Sequence, residues 1–124
     1  MLIGVGIDLI ETARIAEKLG RSQELKAKLF SAGEIAYCEQ MAEPMQHFAG
    51  RFAAKEALLK ALGTGLAGYL DLKDAAIVHD KLGAPSFEFS GELSTIVQAR
   101  RIGRIHVSIS HIHLAACAVV ILEE

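Results

Sequence analysis

The chain has no tryptophan, only two prolines and two cysteines, and aromatic residues fill 6% of its 124 positions. Cys38 and Cys117 lack CxxC spacing, so they read as isolated thiols of the kind buried in proteins of reducing compartments. A strong charge excess is missing as well: the net charge of −2 offers no general affinity for nucleic acid. Long apolar runs are also absent. Hydrophobic residues reach 52%, but charges and glycines interrupt them before the ~20 residues a membrane span needs, so an apolar patch used in oligomerisation is expected in place of membrane insertion. The opening Met1-Leu2-Ile3 carries no basic stretch and soon meets Asp8 and Glu11, unlike a secretory leader, and a cytoplasmic location is expected. With no repeat, low-complexity segment or linker, residues 1–124 read as a single mixed α+β domain of ordinary size.

What is present organises itself along the chain. The run from residue 2 to 10 is too apolar for a strand with a face open to water, which predicts a strand in the sheet interior. Helices are expected at 11–19, stopped by Gly20, and at 22–29. Ser31 and Glu34 form a capping-box pattern opening a helix through Met41. Pro44 breaks the chain before the longest helix, Met45 to Leu62, which ends at Gly63 with a glycine-rich loop (Gly63, Gly65, Gly68) beyond. Strands are expected at 72–79 and 85–89, a helix at 91–102, and a final hairpin at 104–111 and 114–122.

Two carboxylates stand in unlike contexts. Asp8 lies in an apolar run, Gly4-Val5-Gly6-Ile7-Asp8, and Glu56 sits mid-helix between Lys55 and Lys60. A magnesium ion takes one or two protein carboxylates and fills its shell with water and phosphate oxygens, so the pair points to a phosphate-handling site. Phe52, Glu56 and Lys60 recur every four residues on one helical stripe, while Leu58, Leu59 and Leu62 point elsewhere and can be buried. Each carboxylate also has a plainer use: Asp8 as a helix N-cap near Glu11, Glu56 as an i,i+4 surface partner of Lys60. Arg51, Lys55 and Lys60 near Glu56, the glycine loop and His111 tilt the balance towards a site.

Competing motifs are weaker. Gly4-x-Gly6 lacks the third glycine of a dinucleotide fingerprint and fits close backbone packing better. His111-x-His113 has no third zinc ligand in view, and Ser110, His111 and Asp8 lie in no nucleophile-elbow context. Residues 14–28 hold five basic side chains, among them Arg14, Lys18 and Arg21, against two acidic ones, which fits either a solvated helix face or a patch for an acidic partner.

Taken together, Gly4-Val5-Gly6-Ile7-Asp8 with Arg14, Phe30-Ser31-x-x-Glu34-x-x-Tyr37, Gly50-Arg51-Phe52-Ala53-Ala54-Lys55-Glu56-Ala57-x-x-Lys60-Ala61-x-Gly63-Thr64-Gly65, Gly83-x-Pro85 and His106-Val107-Ser108-Ile109-Ser110-His111 resemble the holo-[acyl-carrier-protein] synthases, small 4′-phosphopantetheinyl transferases of fatty acid synthesis. The resemblance runs nearly end to end and implies a mainly antiparallel sheet packed on a long central helix. It implies transfer of phosphopantetheine from coenzyme A to a serine of apo acyl carrier protein. By the resemblance Asp8 and Glu56 would hold Mg²⁺ on the coenzyme A pyrophosphate, Lys60 would steady the phosphates, and a metal-bound water, ahead of Glu56, would be the general base. Arg51, Gly63, Gly65, Gly83, Pro85, Ser110 and His111 would bind coenzyme A, and Arg14, Lys18 and Arg21 would receive the carrier protein. A homotrimer with shared active sites is also implied. Ile112-His113-Leu114-Ala115 departs from the more polar segment expected there. A transferase for a polyketide-type carrier, or a non-catalytic trimer that binds coenzyme A or carrier protein, are the alternatives.

Overall fold

The computed structural model describes residues 1–63 and 71–124. In chain order these form β1 (Leu2–Glu11), α1 (Thr12–Arg21), α2 (Gln23–Leu29), α3 (Ala32–Glu39), α4 (Pro44–Leu62), a 3₁₀ turn (Leu72–Asp74), β2 (Ala75–His79), β3 (Pro85–Phe89), α5 (Gly91–Ala99), β4 (Arg104–His111) and β5 (Ala115–Glu123). Every strand pair is antiparallel: β1-β5-β4 make one sheet and β2-β3 a hairpin of their own.

The central helix α4 follows from its composition. Pro44 occupies the first turn, where its missing N–H costs nothing, an alanine-rich middle favours helix, and Gly63 ends it in the left-handed conformation at φ 67°. From Phe48 to Lys55 every residue is buried, because the three-stranded sheet covers one side and the helices α1 and α3 pack on others. Phe30, Phe48, Leu58, Leu93, Val120 and Leu122 are almost wholly buried in the core, each worth roughly 1.5–3 kcal/mol on removal from water.

The Gly4-x-Gly6 pair is a packing device. A Cβ at Gly4 would lie 2.2 Å from the Ala61 carbonyl oxygen, and one at Gly6 would lie 1.9 Å from that of Ala57. The strand therefore rests directly on the α4 backbone. Strand alternation then carries Asp8 to the same side as the glycines, facing the helix.

Several boundaries shift from expectation. Gly20 does not stop α1, which continues to Arg21, since a glycine on an exposed helix face costs too little to override the flanking turns. Helix α3 ends at Glu39, α4 begins at Pro44, α5 ends at Ala99, and the segment expected as one strand from 72 opens with the 3₁₀ turn. A larger correction concerns β1. It lies at the sheet edge, paired among the described residues only with β5, and its outward residues Val5, Ile7 and Leu9 are 60%, 65% and 73% exposed. The run is apolar on both faces as the sequence indicates, but one chain covers only one of them.

Candidate functional site

Helix α4 presents two different surfaces, and the expected site residues divide between them. On the first, Lys60 Nζ donates to the Asp8 carboxylate at 3.1 Å and to the Ile7 carbonyl oxygen at 3.0 Å. Glu56, one turn earlier on α4, is half-buried, and burial together with the neighbouring Asp8 charge pushes its carboxyl above the usual range, against the pull of Lys18 and Lys60. Lys18 itself lies over the Phe52 ring at 5.2 Å. Asp8 is no helix cap: it stands inside β1 opposite Ala118, and Glu11 takes the N-cap position of α1. Nor does Lys60 spend itself on Glu56 in a surface pair. Two neighbouring carboxylates, with the Lys60 ammonium on Asp8 and Lys18 close by, are groups that could together hold a cation. Among the described residues no group of three or more His, Cys, Asp or Glu side chains is arranged around a metal position, so a metal here would draw on these two carboxylates and complete its shell from water and ligand.

On the second surface, a cleft of about 550 Å³ is lined by Arg51, Gly83, Pro85 and His111 together with Tyr37, His47 and His79. Arg51 is 4% exposed and its guanidinium lies 4.4 Å above the Tyr37 ring. Its Nη2 donates to His79 Nδ1 at 3.3 Å, and His79 stacks on Tyr37 with ring centroids 5.3 Å apart. His111, the last residue of β4, is held through Nδ1 by the Gln46 amide oxygen at 3.0 Å, and His47 meets it edge-on at 5.1 Å. His113 turns to the amide nitrogen of the same Gln46, so the H-x-H pair serves the hairpin and this cleft in place of a zinc site. Gly83, at φ 89°, closes the turn from β2 to β3 by donating to the Asp80 carbonyl, and the Asp80 side chain accepts from Leu82 and Ala84. A cleft of this volume offers one buried guanidinium, three imidazoles and a stacking aromatic, groups able to donate to an anionic ligand.

Lys55 joins neither surface, which corrects its placement near Glu56. It is fully buried one turn along α4 from Arg51, where its ammonium donates to Glu34 at 2.6 Å and to the Leu29 and Leu72 carbonyl oxygens at 2.8 and 3.0 Å. Glu34 completes the capping box with Ser31 and also accepts from the Ile77 backbone N–H at 3.1 Å. Arg51 belongs to the second surface and not beside Glu56. Its Nε lies 3.9 Å from Glu34 and is a buried donor without a hydrogen-bond partner among the described residues.

Other expected positions scatter. Gly63 caps α4, Gly65 and Gly68 lie outside the described residues, and Ser110 sits on β4 opposite Cys117, exposed and outside the cleft lining. Arg14 and Arg21 are exposed on α1, with Arg21 tied to Glu17 at i,i+4. Tyr37, Gln46, His47 and His79 were not legible as site residues. The signal that could have found them is the buried Arg51, whose guanidinium needs neighbours on α3 and β2.

The chain and its fold have counterparts among known proteins. The family model of the 4′-phosphopantetheinyl transferase superfamily matches residues 4–117. A holo-[acyl-carrier-protein] synthase of Syntrophus aciditrophicus (strain SB) is 43% identical over 124 residues, covering 99% of this chain and 97% of the relative. The crystal structure of holo-[acyl-carrier-protein] synthase from Neisseria meningitidis superposes with a TM-score of 0.90 at 32% identity, covering 100% of both chains. That of the Helicobacter pylori enzyme in complex with coenzyme A gives 0.82 at 32% identity, covering 96% of this chain and 99% of the other. The match embraces the strand with Asp8, the helix with Arg51 and Glu56, and the hairpin with Gly83 and Pro85, so the chain belongs to the 4′-phosphopantetheinyl transferase superfamily.

Proposed function

We propose that this chain is a holo-[acyl-carrier-protein] synthase, one domain over residues 1–124, moving 4′-phosphopantetheine from coenzyme A to a serine of apo acyl carrier protein. The observation that carries the reading is the pairing of a guanidinium-and-histidine cleft with a separate carboxylate pair in a chain alike, over its whole length, to relatives of that name. Coenzyme A offers the matching parts. Its 3′-phosphorylated adenosine suits Arg51, Gly83, Pro85 and His111, and its pyrophosphate suits Asp8, Glu56 and Lys60.

In the reaction the serine Oγ attacks the phosphorus that bears the pantetheine arm, the phosphoanhydride bond breaks, and adenosine 3′,5′-bisphosphate leaves. Mg²⁺ fits the mutually repelling pair, and when bound it would neutralise charge developing on the phosphate oxygens. Lys60 would swing from Asp8 to a phosphate oxygen. Burial and the Asp8 charge strengthen Glu56 as a proton acceptor, directly or through a water, for the serine proton. Arg14, Lys18 and Arg21 on α1, beside this pair through the Lys18–Phe52 contact, would meet the acidic carrier.

The two surfaces occupy different faces of α4, which supports a site shared between copies. The uncovered strip Val5, Ile7 and Leu9 supplies the surface for assembly, and a homotrimer would set the cleft of one copy against the carboxylate pair of the next. No helix among the described residues is long and apolar enough to cross a membrane, and with two unpaired cysteines, Cys38 buried and its thiol pushed up to about 11, we place the enzyme in the cytoplasm.

The test is incubation with coenzyme A, Mg²⁺ and apo acyl carrier protein, followed by the carrier's mass. A gain of one phosphopantetheine supports the reading, and no gain on fatty-acid or polyketide carriers overturns it. Refolding Asp8→Ala with Arg51→Ala in equal amounts should restore about a quarter of the wild-type rate if sites are shared around a closed ring. Two inactive variants that stay inactive when mixed would refute sharing.

A further inference from the structure

Arg51 and His79 meet inside the cleft. Arginine has donors only, so the 3.3 Å approach of Arg51 Nη2 to His79 Nδ1 fixes the imidazole as the acceptor. The ring proton then stands on Nε2, and His79 is neutral for as long as the guanidinium donates to it. The surroundings agree. Tyr37 of α3 stacks flat on the ring, Arg51 of α4 supplies a positive charge, Asp80 in the following turn pulls the other way, and Glu34 lies beyond Arg51. Pro85 of β3, opposite His79, brings no charge. Lys81, His47 and His111 line the same cleft, which leaves Asp80 its one carboxylate among the described lining residues.

We propose that His79 senses phosphate: when Arg51 turns its donor to a phosphate dianion of the bound nucleotide, His79 Nδ1 loses its donor, takes up a proton and becomes a second cation beside that phosphate. The proposal rests on the reading of the cleft as a coenzyme A site and adds the residue that reads the 3′-phosphate. A neutral ring that becomes charged only beside an anion discriminates better than a fixed cation, because it repays nothing to ligands that lack the dianion. Coenzyme A is thereby preferred over its 3′-dephospho form, and more so as pH falls from 8 towards 6.

The experiment is calorimetric titration of the whole protein with adenosine 3′,5′-bisphosphate at pH 7 in two buffers of different ionisation enthalpy. An ordinary histidine titrates near ~6.5, so a ring held neutral and then charged by a neighbouring phosphate gains on the order of half a proton per site. His79→Gln keeps an acceptor for Arg51 but cannot gain a proton. It is expected to erase that uptake and to lower the preference for coenzyme A over 3′-dephospho-coenzyme A by about tenfold. Adenosine 5′-monophosphate, without the 3′-phosphate, should bind the wild-type protein with no uptake. Tight binding with equal proton uptake in wild type and His79→Gln overturns the assignment to His79 while leaving the transferase reading intact. Failure of the bisphosphate to bind at all overturns both.

Discussion

Lys60 reaches across from α4 to Asp8 on β1 at 3.1 Å and leaves Glu56, its own helical neighbour four residues back, without an ion pair among the described residues. The ammonium bridges strand and helix while the half-buried Glu56 carries the electrostatic cost of standing close to Asp8. That cost is separable from activity.

Glu56→Gln should cut the transfer rate by about 10²- to 10³-fold, the usual loss when one charge-stabilising group is removed from a reacting phosphate or acyl centre. The same variant should be more stable than wild type at neutral pH. Because the folded state raises the Glu56 carboxyl, its stabilising share is complete below the ordinary carboxylate range and is lost as pH rises through the raised value. Thermal unfolding at pH 7 and pH 4 checks this: the gap in melting temperature should narrow on acidification. Added Mg²⁺ should raise the wild type alone.

Lys55 is fully buried and bonded to three acceptors, so its loss should be costly. Lys55→Ala takes the close ammonium from the buried Glu34 carboxylate, which keeps the Ser31 and Ile77 N–H groups and the more distant Arg51, and removes a donor from two backbone carbonyls, for about 3–5 kcal/mol of stability read from urea midpoints. Glu34→Gln with Lys55→Met should recover part of that by removing the unpaired charge.

Glycine positions give a paired test. Gly6→Ala drives a methyl to within 1.9 Å of the Ala57 carbonyl oxygen and should cost about 1–3 kcal/mol or more, with transfer activity falling as well. Gly20→Ala meets nothing within 4 Å on an exposed helix turn and should stabilise by about 0.5–1 kcal/mol.

If the proposed homotrimer forms through the outward side of β1, Ile7→Lys should leave the chain folded but shift its mass in light scattering from trimer to monomer, with transfer activity lost alongside. A variant that still assembles would move the interface elsewhere.

Most of the architecture was legible because periodicity and punctuation agree: the Ser31–Glu34 capping box, Pro44 and Gly63 bracketing α4, and alternation through β4 all hold. The helical stripe of Phe52, Glu56 and Lys60 was readable from spacing alone. What spacing could not convey is direction across the helix. Lys55 and Glu56 are adjacent in sequence yet face a sealed network and a wet surface, since each residue along a helix turns by about 100°. The position of β1 at an edge was hidden for a different reason. An apolar run carries no mark of whether its strand has one neighbour or two, so the interior and edge positions share one pattern.

The bare glycines of β1 set a measurement as much as a contact. Gly6 fixes how near the strand comes to Ala57, Asp8 lies one strand period beyond Gly6, and Glu56 immediately precedes Ala57. The span between the two carboxylates is thus gauged by a missing methyl group, and a side chain at position 6 would act as a shim between the strand and the helix that carry them.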